Sequence, residues 1–205
     1  MQLVGMLDSP YVRRAAIALK SLGVPFEHKA VSVFSTFEQF QNINPVVKAP
    51  SLVCDDGEVI MDSSLIIDYA EAVARKSLLP IEVKERQHAL RLTGLALAAC
   101  EKAVQIVYEK NLRPKEKYHE PWLTRVRGQL TAAVKMLDAE VGRRPPAAAL
   151  QAGITIAVMW RFAQMMVADD VIAAEYPHLE AFSKAAELLP LFAAFPPDGP
   201  GVPNK

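Results

Sequence analysis

The strongest constraint on how this chain folds is a change of texture near residue 76. Before it, short apolar runs alternate with helix-periodic segments; after it, from Val83 to Leu189, only helical patterns occur. A mixed α/β piece and an all-helical piece bury their apolar surfaces in different layer arrangements, so the order predicts two domains. We place them at residues 1–77 and 83–205, with Leu78-Leu79-Pro80 as the link. The length, 205 residues, allows this at about 100–200 residues per domain.

Within the first domain, Gln2–Leu7 reads as a buried strand. Ser9-Pro10 starts a helix that carries Val12, Ala16, Leu19 and Leu22 on one face and ends at Gly23. Phe26–Val31 follows as a strand, and a strand–helix–strand connection favours a parallel pair. Phe34–Asn42 reads as a short irregular helix. Ser51–Cys54 and Glu58–Met61 flank Asp55-Asp56-Gly57 as a hairpin. Asp62-Ser63 opens a helix bearing Leu65, Ile66, Tyr69 and Val73, which gives the order β-α-β-α-β-β-α. In the second domain, helices are expected at about Val83–Lys110, Glu120–Val141, Ala152–Ala168 and Pro177–Leu189. The third is apolar almost all round (Ile154, Ile156, Val158, Met159, Trp160, Phe162), the pattern of a central buried helix. Pro190, Pro196, Pro197, Pro200 and Pro203 predict an extended or loosely packed end.

Composition removes several function classes. Lys+Arg and Asp+Glu are both 23, so the basic excess of a general nucleic-acid binder is missing. No apolar run approaches the ~18–20 residues a bilayer span needs, and the first residues lack the charged and apolar regions of a signal peptide. Cys54 and Cys100 form neither a CxxC pair nor a zinc spacing, and His28, His88, His119 and His178 are scattered, so no metal site is expected. These features predict a soluble cytoplasmic protein.

Three segments of the first domain carry possible chemistry. Ser9 sits where a strand passes into a helix, so its hydroxyl lies beside unpaired amides and a partial positive charge that favour an anion such as a thiolate. The plain alternative is an N-cap. In Asn44-Pro45-Val46-Val47-Lys48-Ala49-Pro50, a cis bond before Pro50 would turn the Ala49 backbone outward to pair with an extended peptide; the alternative is a simple loop with a solvated lysine. Asp62-Ser63 joins a carboxylate and a hydroxyl at a helix start, suited either to capping or to holding an ammonium and a carboxylate together.

Taken in order, Ser9-Pro10-Tyr11-Val12-Arg13, then Asn44-Pro45 with Lys48-Ala49-Pro50, then Asp62-Ser63 with Ile66 and Tyr69 resemble the N-terminal domain of glutathione S-transferases, closest to serine-type bacterial and plant members. The resemblance implies a thioredoxin-like N-terminal domain followed by an all-helical C-terminal domain. It also implies glutathione as co-substrate without a metal, a small apolar electrophile as second substrate, a detoxifying transferase or peroxidase activity, and a homodimer with contacts such as Leu65, Leu90 and Leu97. Carried over, Ser9 would donate to the glutathione sulfur and Pro50 would be cis. Ala49 would pair with the cysteinyl backbone, Lys48 would approach the glycyl carboxylate, and Asp62 and Ser63 would hold the γ-glutamyl end. Tyr11, Tyr108 and Trp160 are candidates for the second-substrate pocket. A non-catalytic binding or regulatory subunit on the same scaffold is the rival reading.

Two positions depart from the family pattern. The central helix begins at Leu150-Gln151-Ala152-Gly153 without the usual capping box. Asp8 places a carboxylate next to Ser9, where it opposes thiolate formation unless it points away.

Overall fold

The computed structural model describes residues 1–203. It divides into two compact units, one of Met1–Leu78 together with Pro190–Gly201, the other built on Leu79–Leu189.

The first unit is a four-stranded sheet with helices packed on it. Strands β1 (Gln2–Val4), β2 (Glu27–Lys29), β3 (Ser51–Val53) and β4 (Val59–Met61) lie in the order β2-β1-β3-β4. The β1–β2 pair is parallel, with Leu3 opposite His28, while β3 runs antiparallel to both β1 and β4. The first strand is shorter than the apolar run Gln2–Leu7 suggested. Gly5, at φ 140°, turns the backbone out of the ladder directly after Val4.

Helix α1 (Pro10–Leu22) begins at an extended Ser9 cap with Pro10 in its first turn. It ends at left-handed Gly23, whose N–H reaches the Leu19 and Lys20 carbonyls. Helix α2 (Phe37–Ile43) buries Phe40 against Val4 and Val31. Helix α3 (Ser63–Ala74) packs on α1, and Leu3, Ile17, Leu19, Leu52, Ile66 and Ile67 form the core around them.

The second unit holds α4 (Val83–Leu112), α5 (Glu120–Arg143), α6 (Gln151–Met166) and α7 (Pro177–Glu187). Helix α6 is the buried centre, closed to water from Ala152 to Trp160. Its first turn lacks a side-chain cap, as its sequence suggested. Instead the chain enters through Leu150, and Gly153 lets the backbone of Ala147 and Ala148 come so close that a Cβ there would lie 2.2 Å from the Ala147 oxygen. No helix among the described residues is long and apolar enough to cross a membrane.

Two expectations for the helical half need correction. The stretch Pro190–Gly201, assigned to the 83–205 domain, belongs to the first unit. It is not loose either. After a short helix α8 (Pro190–Ala193), Phe192 is fully buried, Phe195 stacks on Phe26 with centroids 5.8 Å apart, and Arg13 Nε donates to the Phe195 carbonyl at 2.7 Å. Two aromatic side chains among the prolines supply the apolar area that seats the segment.

Candidate functional site

Ser9 closes the mouth of α1. The Val12 N–H reaches its Oγ at 3.5 Å, the long end of a hydrogen bond, so the hydroxyl is only weakly held by its own helix. That bond uses an oxygen lone pair and leaves the hydroxyl proton for another acceptor. Behind Ser9 the packing is tight: a Cβ on Gly5 would lie 2.5 Å from Val12 Cγ2 and 3.2 Å from Ala49 Cβ. The missing side chain is what lets the start of α1 and the Ala49 loop meet.

That loop is braced from inside. Asn44, buried, donates through Nδ2 to Ser51 Oγ at 2.8 Å and accepts from the Val46 N–H at 3.0 Å, while Ser51 donates to the Lys48 carbonyl at 2.8 Å. Val47 takes a left-handed φ of 52°, and the Ala49–Pro50 bond is cis. No hydrogen bond engages the Ala49 N–H or C=O among the described residues.

At the mouth of α3, Asp62 adopts φ 76° and ψ 126°, and one carboxylate oxygen accepts from the Ser64 N–H at 2.9 Å. Its other oxygen faces Lys48 Nζ at 3.7 Å, a half-exposed pair. Ser63, 2% exposed, receives Arg14 Nη1 at 2.9 Å, and the same nitrogen donates to Ser64 Oγ at 3.1 Å. Arg14 itself is 2% exposed and belongs to α1. Within the unit, Lys48 meets Asp62 across the cis-proline loop and α3, Arg14 ties α1 to Ser63, and Gly5 lies between Val12 of α1 and Ala49.

The Asp8 carboxylate is tied to Gly201 of the C-terminal segment and to the Ser9 N–H beside the α1 mouth. Its Oδ2 accepts from the Gly201 N–H at 2.7 Å and its own N–H donates to the Asp198 carbonyl at 3.1 Å. Burial pushes its carboxyl above the ordinary range, against the N–H bonds from Gly201 and Ser9, which favour the anion.

The three aromatic candidates separate. Tyr11 lies in the first turn of α1, partly exposed, and Tyr108 on α4 is 40% exposed. Trp160 is a correction: at 1% exposure, with Nε1 donating to Glu180 at 2.8 Å and its ring edge-on to Tyr176, it is a core residue with no surface to offer a ligand. Cys54 and Cys100 are both buried, and among the described residues no group of His, Cys, Asp and Glu could hold a metal ion.

Sequence reasoning gave no role to Arg13, Arg14 or Asn44, although Arg13 and Asn44 stand in the motifs quoted above. Charged side chains on an amphipathic helix read as solvated, and only the adjacent pair Arg13-Arg14, inside an otherwise apolar stretch, hinted that one must point inward.

A small mixed sheet with a cis-proline loop beside the starts of two helices, followed by a helical unit, is the thioredoxin-like-plus-helical architecture. Residues 3–77 match the family model described as glutathione S-transferase, N-terminal domain. A glutathione transferase family member from Pseudomonas fluorescens Pf-5, solved with bound S-(propanoic acid)-glutathione, superposes with a TM-score of 0.81 at 26% identity, over 97% of this chain and 100% of that one. The uncharacterized GST-like protein YibF of Escherichia coli (strain K12) is 29% identical over 139 residues, 67% of this chain and 68% of the relative. Glutathione S-transferase U4 of Arabidopsis thaliana is 29% identical over 91 residues, 44% of this chain and 41% of the relative. Residues 3–77 thus match the glutathione S-transferase N-terminal domain, and the chain as a whole shares the fold of solved glutathione transferases.

Proposed function

We propose that the first unit binds glutathione and activates its thiol for attack on a small apolar electrophile. The observation that carries this reading is the set of complementary groups on one unit: a weakly engaged hydroxyl at one helix mouth, an Ala49 backbone that makes no hydrogen bond among the described residues, and a carboxylate–hydroxyl pair at a second helix mouth. The spacing supports it. Arg14, which touches Ser63, lies five residues beyond Ser9, about 7.5 Å along α1, and an extended tripeptide spans about 10 Å.

In this reading Ser9 donates its proton to the glutathione sulfur. Ala49 pairs with the cysteinyl backbone, next to cis Pro50. Asp62 takes the γ-glutamyl ammonium, and the Ser63 N–H and hydroxyl take its carboxylate. Lys48 and Asp62 exchange each other for the ligand's glycyl carboxylate and ammonium. The partial positive charge at the α1 mouth and the Ser9 hydrogen bond stabilise the thiolate, whose proton leaves to water. The sulfur lone pair then forms a C–S bond while the leaving group departs with its electron pair. With a hydroperoxide, the same thiolate would attack the terminal oxygen, the O–O bond would break with the alkoxide leaving as the alcohol, and a second glutathione would attack the resulting sulfenic acid to give glutathione disulfide and water. Tyr11 and Tyr108 are assigned to contact the second substrate. Exposed Leu65 (60%) and Leu90 (49%), with partly exposed Leu97, suit a homodimer, which light scattering would test at 22.5 kDa against twice that mass. A cytoplasmic, detoxifying role follows from the same reading.

Calorimetric titration with glutathione, then conjugation of chlorodinitrobenzene and reduction of cumene hydroperoxide, tests the proposal. Micromolar to millimolar binding with turnover of either substrate supports it. Absence of binding heat overturns it, and binding without turnover transfers the chain to the non-catalytic reading.

A further inference from the structure

Arg14 is a large cation in the interior of the first unit, and it spends one nitrogen on two serine hydroxyls at the start of α3. Guanidinium nitrogens only donate, so Ser63 Oγ must accept from Arg14. A hydroxyl has a single proton. With one lone pair committed to Arg14, the Ser63 proton is directed to some other acceptor. Arg14 therefore fixes the polarity of this hydroxyl: it presents a donor, beside the Ser63 N–H of the first helical turn, while Asp62 takes the Ser64 N–H. Together with a guanidinium one hydroxyl behind, the α3 mouth is set up for a carboxylate and against a neutral group or an amine at that spot. Asp62, on the outer side, keeps the complementary role for an ammonium.

We propose that Arg14 is a positioning residue that selects ligands carrying a carboxylate on the γ-glutamyl α-carbon, acting through the Ser63 hydroxyl. The inference rests on the glutathione reading above and adds to it the determinant of selectivity at that end.

The test compares glutathione with its analogue lacking the γ-glutamyl α-carboxylate, by calorimetry, in the full-length protein and in Arg14→Met, Arg14→Lys, Ser63→Ala and the Arg14→Met/Ser63→Ala double variant. Charge-assisted hydrogen bonds of this kind predict that Arg14→Met weakens glutathione about 10- to 100-fold and leaves the analogue's affinity within about twofold, collapsing the preference. Arg14→Lys restores a substantial part of it, because an ammonium still donates to Ser63. In the Ser63→Ala background, Arg14→Met has a much smaller further effect. Equal weakening of both ligands by Arg14→Met, or full additivity of the two substitutions, overturns the inference while leaving glutathione binding in place. The unsubstituted protein supplies an arm that needs no variant to fold: equal affinity for the two ligands also overturns it. If the unsubstituted protein binds neither, it is the glutathione reading that falls.

Discussion

Replacing Ser9 with alanine separates the two jobs its hydroxyl can do. As a cap it is weak. The bond from the Val12 N–H is 3.5 Å long, and Pro10 removes one of the first-turn donors, so losing the oxygen should cost about 0.5 kcal/mol, the low end for an N-cap. For a chain of this size that is a fall in Tm of about 1–2 °C. As a donor to a thiolate the same hydroxyl is worth about 1.5–3 kcal/mol, or about one to two pKa units of the bound thiol at 1.36 kcal/mol each. A free thiol titrates near pKa 8.5, so the unsubstituted protein should hold bound glutathione with a thiol pKa of about 6.5–7.5 and Ser9→Ala should return it toward 8.5. Conjugation of chlorodinitrobenzene, followed from pH 6 to 9, should then show about a 10- to 100-fold loss at pH 6.5 that narrows as the pH rises and the thiolate forms unaided. Glutathione affinity, measured by calorimetry near pH 6, should change little, since Ala49, Asp62 and Ser63 are untouched. An ultraviolet titration of the bound thiolate gives the pKa directly. The same thiol pKa and the same turnover in both proteins would remove Ser9 from the chemistry and leave it a cap.

Other outcomes follow from the packing. The Asp8 carboxyl is raised by burial, so its ionised form weakens the folded state at neutral pH, and this penalty fades as the pH falls through the raised value toward 3.8. Asp8→Asn keeps an acceptor for the Gly201 N–H and should raise Tm at pH 7, with the gain shrinking toward pH 4; a gain that grows on acidification contradicts the assignment. Gly5→Ala would set a Cβ 2.5 Å from Val12 at a φ of 140° and should cost about 1–3 kcal/mol in urea unfolding, with weaker glutathione binding because Ala49 must shift. Gly153→Ala meets backbone at 2.2 Å and should lose about 2 kcal/mol or more despite the better helix propensity. Gly128→Ala, on α5 with open space around it, should gain about 0.5–1 kcal/mol; similar values for these two helical glycines would refute the steric account.

The helix starts were the most legible part of the fold, because capping chemistry is local. Ser9-Pro10 and Asp62-Ser63 mark the beginnings of α1 and α3, and Gly23 marks the end of α1. The cis bond at Pro50, left open by the segment's own residues and implied by the family resemblance, is present. Strand ends were less legible. Met6 and Leu7 extend the apolar run of β1, yet pairing stops at Val4 because Gly5 turns the backbone, and apolarity carries no signal of that turn. Long-range pairings were out of reach. Nothing near Arg14 in sequence announces Ser63, and nothing near Asp8 announces Gly201, since each pair is joined only when the sheet and helices assemble. Trp160 was misjudged because aromatic character serves cores and pockets alike, and only its partner Glu180 on α7 decides between them.

The return of Pro190–Gly201 to the first unit makes that unit discontinuous along the chain. During synthesis, residues 1–78 emerge first, but the seat for Phe192, the stacking face of Phe26, the Arg13 Nε donor and the Asp8 carboxylate all wait for a segment made more than a hundred residues later. A fragment ending at Leu78 would therefore carry the whole run from Ser9 to Ser63 and still lack Phe192, the ring that stacks on Phe26 and the Phe195 carbonyl that accepts from Arg13 Nε. The ribosome must nearly finish the polypeptide before its earliest-made portion can close.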